Sequence, residues 1–298
     1  MTYAARDLDL GAELSEACRR EADRHVREIV AASGSSFAAG MRILPRPRRQ
    51  AIFAVYAFCR LVDDVADGDA PDPVKHTRLD AWEDEVARIA AGAPRTAVGR
   101  ALLAPVTRYD LPVDELGHIL EGMRMDVEGA LVAPEREVLA RYVRCVAGSV
   151  GLLSMRIFGA WRGETSSRFA LALAEGLQLV NILRDVEEDA ARGRLYLPRD
   201  LLRREGVPLA PQSAVGHPAL PRVREAIGRV AAERFGQARV EITSHSRLRL
   251  APALLMMGPY GRMLDDMRAA GWVGPPPRLS QRRKVWLGLR CALRGAGA

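Results

Sequence analysis

Aromatic residues are scarce, at 5% of the 298 positions, and no segment sustains the apolar–polar alternation of a strand. Alanine, leucine and arginine dominate, a usage that favours helix over sheet. Lysine is almost missing, with only Lys75 and Lys284. The formal charge of +7 therefore rests on arginines. They are spread along the chain with no aromatic-interleaved basic block and no nucleic-acid motif, so nucleic acid is not the expected partner. Guanidinium groups bind phosphates of any kind, small diphosphates included. The four cysteines, Cys18, Cys59, Cys145 and Cys291, form no C-x-x-C pair and read as reduced thiols of a cytoplasmic protein. The five histidines are isolated from one another, which gives zinc no cluster. The first residues lack a basic-then-apolar leader. Strongly apolar runs such as Ala51 to Cys59 are too short to span a bilayer. Neither a G-x-G-x-x-G nor a P-loop pattern is present, and there is no repeat.

What is present is helical periodicity nearly everywhere. It predicts helices over 11–33, 48–67, 74–91, 96–108, 113–130, 135–160, 165–191, 218–247, 252–270 and 280–293, with Gly and Pro punctuating them. Segment 206–217 reads as a loop. No composition shift marks a boundary, so a single all-α domain over 1–298 is expected, with a core from about 27 to 294.

Asp63/Asp67 and Asp185/Asp189 each place two carboxylates four residues apart, on one face of a helix. The sequence has four such pairs, the others being Asp80/Asp84 and Asp110/Asp114, where chance alone gives roughly one. Context separates them. Pro112 interrupts Asp110/Asp114, which reads as a loop and a helix start. Asp80/Asp84 lie among Glu83, Glu85 and Arg88, on an apparent solvated face. Asp63/Asp67 instead end an apolar helix on which Tyr56, Arg60, Asp63 and Asp67 share a face. Asp185/Asp189 continue the face of Gln178 and Asn181 on another apolar helix. Acidic residues near a helix C-terminus oppose the macrodipole, and like charges four apart cost about 0.2–0.5 kcal/mol more. Two apolar helices that do this at matching ends call for a cation.

Carboxylates are hard oxygen donors that suit Mg²⁺, which takes one or two of them together with water and substrate phosphate oxygens. Arg60, Arg184, Arg192 and Arg194 lie beside the two pairs. Guanidiniums and Mg²⁺ together would stabilise a departing diphosphate.

These residues resemble the head-to-head isoprenoid synthases, the squalene and phytoene synthases. The likeness runs from about Ser35 to the last helix. It is carried by Ser35-Ser-Phe, Met41-Arg-Ile-Leu-Pro, Tyr56 through Asp67, Gly122-Met-Arg-Met-Asp126, Tyr142 through Gly151, and Gln178 through Asp189 continuing to Arg192-Gly-Arg-Leu-Tyr-Leu-Pro198. The resemblance implies an α-helical bundle around a central hydrophobic cavity, with both aspartate pairs as metal ligands and catalytic groups. It implies Tyr142 near the reacting carbons, and Ser35, Tyr56, Arg60, Gln178, Asn181, Arg184, Arg194 and Tyr196 around the substrates. The branch that looks most similar is bacterial presqualene diphosphate synthase of hopanoid biosynthesis, which joins two farnesyl diphosphates. Mg²⁺ is implied, with Mn²⁺ able to substitute. NADPH is not expected, because reduction is left to a separate enzyme. Phytoene synthesis from geranylgeranyl diphosphate and complete squalene synthesis stay open, as does a catalytically silent helical partner protein. Ser35 stands where some squalene and dehydrosqualene synthases carry a basic residue, and Ala38 and Ala39 where an aromatic is common; the missing aromatic bears on cavity shape and chain-length choice.

Taken alone, Tyr142 reads as an ordinary buried tyrosine. Asp126 and Glu128 face either the site or solvent. Gly148 and Gly151 cost helix stability, about 1 kcal/mol each against Ala, which indicates close packing or room for a prenyl tail. The tail from Arg278 to Arg294 mixes arginines with Trp286, Leu287, Leu289 and Leu293. It reads either as a final helix packed on the domain or as a peripheral contact with the inner face of a membrane. Oligomeric state is not legible.

Overall fold

The computed structural model describes residues 3–33 and 37–294, with side chains over 16–33 and 40–293. Ser35 lies outside the described residues, as do the side chains of Ala38 and Ala39. The described residues are mostly helical: α1 (Tyr3–Ala32), α2 (Phe37–Arg42), α3 (Arg46–Asp67), α4 (Asp72–Ala90), α5 (Ala97–Tyr109), α6 (Asp114–Val127), α7 (Arg136–Val143), a π-turn (Arg144–Gly148), α8 (Ser149–Ile157), α9 (Glu164–Ala191), α10 (Arg199–Arg204), α11 (Pro211–Ala214), α12 (Leu220–Ile242), α13 (Arg247–Ala269) and α14 (Gln281–Arg294). Among the described residues no strand forms; Val132 and Leu195 make one isolated parallel bridge.

α3 is the central helix. Pro47 sits in its first turn, where a missing N–H costs nothing. From Ala51 to Val55 every residue is buried, as expected of a helix surrounded by others. α1, α4, α5, α6 and α8 pack around it, and α9 packs against α8, α12 and α13. Differences from the expected elements have local causes. α12 stops at Ile242 rather than 247, and α13 starts at Arg247 and carries Pro252 and Pro259 inside it. The segment read as a loop over 206–217 holds the short α11.

Arg136–Ile157 runs as one continuous helical rod through the π-turn. By length and composition an 18-residue window of it, with a mean hydropathy of 1.3, would suffice for a membrane span, although charged residues break its strongly apolar runs into short ones. Half of it is buried inside the protein, so the helix's apolar surface is used in packing. Its tight contacts explain two glycines. A Cβ on Gly151 would lie 3.0 Å from the Ala170 carbonyl oxygen, and one on Gly122 of α6 would lie 2.4 Å from Val146 Cγ1.

The face carrying Asp80 and Asp84 is mostly solvated, but Glu85 is not on it. Glu85 is 1% exposed. Its carboxylate accepts from the Arg95 and Thr96 backbone N–H groups, at 2.9 and 2.7 Å, and from the Thr96 hydroxyl at 2.9 Å. Thr96 in turn caps α5 by accepting from the Gly99 N–H. Glu85→Ala orphans these donors and is expected to destabilise the fold by about 3 kcal/mol, read as a lower urea midpoint. A midpoint within error of the parent would refute this capping role.

Candidate active site

The site forms where α3, α6 and α9 end together. Asp63 and Asp67 close α3. Arg60 reaches Asp64 at 2.7 Å and Asp63 at 3.8 Å. Asp67 accepts from Arg192 Nη1 at 3.2 Å and from Arg194 Nη1. At the end of α9, Arg184 grips Asp185 with two parallel hydrogen bonds of 2.7 and 2.6 Å. Asp189 has no hydrogen-bonded side-chain partner among the described residues, though the charges of Asp185 and Arg194 bear on it.

Gly193, at φ +80°, turns the chain back after α9, a conformation suited to glycine. The segment that follows is strapped to the α6–α7 loop: Ala133 N–H donates to Leu195 O at 2.9 Å, and Arg199 N–H to Pro134 O at 2.8 Å. That strap delivers Arg194 and Tyr196 to the end of α6. There Asp126, its side chain 6% exposed, is the hub. It accepts from Tyr142 at 2.9 Å and from Tyr196 at 2.6 Å, and Arg194 Nε lies 3.7 Å away. The two tyrosine rings stack with centres 5.3 Å apart. Tyr142 lies two residues before the π-turn, a distortion that recurs at functional sites.

Below the carboxylates lies an apolar cavity of about 270 Å³. Ile52, Val55, Val150, Leu173 and Met256 are among its walls, with Gly151 in the lining as well. Gly151 thus serves both close packing and cavity space. Tyr56, Gln178 and Asn181 line its polar end. Tyr56 and Gln178 each sit two helical turns, about 10 Å, before Asp63 and Asp185. Tyr260 of α13 donates to Asn181 Oδ1 at 3.0 Å, and Asn181 to Gln178 Oε1 at 3.3 Å. Cys59 also lines the cavity; burial pushes its thiol up to about 12, so it stays protonated.

The electrostatics are those of a negatively charged mouth. Burial, then the charge of Asp67, raises Asp63 to about 6. Burial, then Asp185, raises Asp189 to about 7. Asp126 contributes to both shifts, which joins the two pairs into one field. Burial also lifts Asp126 above the ordinary carboxylate range, against the hydrogen bond from Tyr196 and the charge of Arg194. Burial and Asp126 hold both tyrosines protonated, as donors. Carboxylates outnumber the neighbouring guanidiniums, and every donor is oxygen. A hard divalent cation fits this set. Among the described residues no three His, Cys, Asp or Glu side chains converge to hold an ion unaided. The remaining ligands would then be water and phosphate oxygens, the preference of Mg²⁺.

Of the residues expected from sequence, Asp63, Asp67, Asp185, Asp189, Arg60, Arg184 and Arg194 gather at this mouth. Tyr142 and Tyr196 are joined beside it, and Tyr56, Gln178 and Asn181 line the cavity. The other two pairs stay apart: Asp80 binds Arg124 on the outer surface, and Asp110 binds Arg156. Asp126, left between site and solvent by the sequence, is in the site. Tyr260 was not anticipated, because only tertiary contact brings α13 to Asn181.

The family model described as squalene/phytoene synthase matches residues 30–289. Presqualene diphosphate synthase of Rhodopseudomonas palustris is 38% identical over 266 residues, 88% of this chain and 94% of that protein. The enzyme of the same name from Zymomonas mobilis is 35% identical over 87% of this chain and 89% of its own length. Among solved structures, squalene synthase HpnC from Alicyclobacillus acidocaldarius superposes with a TM-score of 0.78 at 28% identity, covering 86% of this chain and 96% of that one.

Proposed function

The chain belongs to the squalene/phytoene synthase family, and on that premise we propose that it is a prenyltransferase joining two farnesyl diphosphates head to head into presqualene diphosphate, for hopanoid biosynthesis. The observation that carries this reading is the pairing of two arginine-bound aspartate pairs with the polar end of an apolar cavity. The choice of presqualene diphosphate follows the likeness to presqualene diphosphate synthases over most of both chains. One domain, 1–298, carries the whole site in this proposal.

Asp63, Asp67, Asp185 and Asp189 would hold Mg²⁺, or Mn²⁺ in its place. The metal, when bound, supplies positive charge to the diphosphate oxygens as the leaving group departs. Arg184, Arg192 and Arg194, which sit on Asp185 and Asp67 in the free protein, are placed to exchange those carboxylates for diphosphate oxygens. The same exchange frees the carboxylates for the cation. Apolar walls hold the two prenyl chains and exclude water from the allylic cation that ionisation leaves. The double bond of the second substrate attacks that cation, and loss of a proton closes the cyclopropane ring. Tyr142 and Tyr196, held by Asp126, orient the end of the cavity nearest the charge. The chain itself contributes no reductant, and NADPH is not required for this product.

The test is calorimetric binding of inorganic diphosphate with and without Mg²⁺. Binding is expected only with the metal. It is expected to weaken as pH falls through about 7 and then 6, as Asp189 and Asp63 take up protons. The same raised values mean the folded state binds more protons than the unfolded one between the ordinary carboxylate range and about 7. The metal-free protein therefore loses the contribution of these two groups as pH rises through that window. Diphosphate binding that is indifferent to Mg²⁺ would contradict the proposal.

A further inference from the structure

From Val273 onward the chain has no aspartate or glutamate, while Arg278, Arg282, Arg283, Lys284, Arg290 and Arg294 are all basic. α14 occupies the centre of this stretch and has two apolar faces. One is docked. Leu287, Cys291 and Ala292 pack on the core. α13 approaches so closely that a Cβ on Gly258 would stand 2.4 Å from the Leu287 carbonyl oxygen, and one on Gly288 2.7 Å from that of Leu255. The packed-helix expectation therefore holds, yet it leaves the opposite face unused. There Arg282, Trp286, Leu289 and Leu293 follow at spacings of four, three and four, which makes one stripe. Trp286 is 56%, Leu289 49% and Leu293 80% exposed, and Val285 lies beside them at 44%. Single exposed apolar residues are ordinary, but a helix-long stripe marks an interaction site. The Arg290 guanidinium stands 5.5 Å from the Trp286 ring centre, so cations border the apolar row.

The chemistry of an occupant follows from this pattern. It must accept an apolar ridge with a tryptophan and offer negative charge beside it, over the length of a helix. A second copy of this chain would set like charges against each other, which is unfavourable. A bilayer containing anionic lipid meets both needs, with the ridge at the acyl boundary and the arginines at the phosphates. We propose that the solvent-facing stripe of α14 seats the protein on an anionic lipid surface. This inference is independent of the chemistry proposed above.

Co-sedimentation of the full chain with vesicles tests it, using phosphatidylcholine alone and phosphatidylcholine mixed with phosphatidylglycerol. The protein is expected to pellet with the mixed vesicles, to stay in solution with neutral ones, and to be released by ~0.5 M salt, where surface charge is screened. The triple variant Trp286→Ser, Leu289→Ser, Leu293→Ser leaves the docked face untouched. It is expected to lose about tenfold or more in partitioning with an unchanged circular dichroism spectrum. Arg282→Gln with Arg283→Gln is expected to weaken binding to the mixed vesicles in the same direction. Equal partitioning of parent and triple variant would overturn the proposal, as would equal binding to neutral and anionic vesicles. A dimer that the triple variant abolishes, without vesicle binding by the parent, would assign the stripe to a second copy and overturn it too. None of these readouts uses turnover, so their failure leaves the proposed condensation standing.

Discussion

Asp63→Asn and Asp185→Asn are each expected to lower kcat by about 10²–10³-fold, the loss that follows removal of one preorganised electrostatic group, with helical content unchanged. Asparagine keeps the shape of aspartate but removes the charge that a hard cation requires. The fold should tolerate both changes. Asp63 and Asp185 sit near helix C-termini with side chains 47% and 28% exposed, and removing an acid there relieves repulsion from the macrodipole. In Asp185→Asn the Arg184 fork also loses its two carboxylate bonds, so diphosphate affinity in the presence of Mg²⁺ should change as well. Steady-state kinetics with farnesyl diphosphate and circular dichroism check the pair. Normal turnover by both variants would remove the role assigned to the acidic mouth and favour a silent helical protein.

Asp126→Asn is expected to lower kcat by roughly 10–100-fold, the range for groups that position a metal site rather than ligate it. Its two oxygens each accept one tyrosine hydroxyl, from Tyr142 and Tyr196. An amide offers one acceptor oxygen, so one hydroxyl loses its partner. Arg194 loses a nearby countercharge at the same time. Burial of this cluster makes an unmet donor costly, about 1–3 kcal/mol, so the melting temperature should fall too. A purely structural residue would lower stability and leave kcat per folded molecule intact. A positioning residue lowers kcat in the folded fraction with a smaller change in KM. Full activity in a properly folded Asp126→Asn protein would show that the tyrosine hub plays no part in turnover.

Much of the site was legible because it follows helix periodicity. Tyr56, Arg60, Asp63 and Asp67 lie on one face of α3, and Gln178, Asn181 and Asp185 on one face of α9. Those spacings translate directly into shared walls. Asp126 was ambiguous for the opposite reason. It is a lone carboxylate near the end of α6, and its meaning comes from Tyr142 and from Tyr196, which arrives on a strap 70 positions further along. Gly122, one turn earlier, was quoted only as part of a motif; its role is to let α6 approach the π-turn. Glu85 misled because its neighbours Glu83 and Asp84 are solvated, while its own partners lie in the 95–96 turn that folds back over it. The helix expected over 252–270 starts five residues earlier, at Arg247, and Pro252 and Pro259 are both buried inside it, where packing outweighs their poor propensity.

Product analysis with paired substrates tests the central claim most directly. Purified protein with Mg²⁺ is given farnesyl diphosphate or geranylgeranyl diphosphate, each with and without NADPH. The expected result is presqualene diphosphate from farnesyl diphosphate, formed equally with and without NADPH and lost when the metal is chelated. Phytoene from geranylgeranyl diphosphate with farnesyl diphosphate left unreacted, or squalene formed only when NADPH is added, would contradict it.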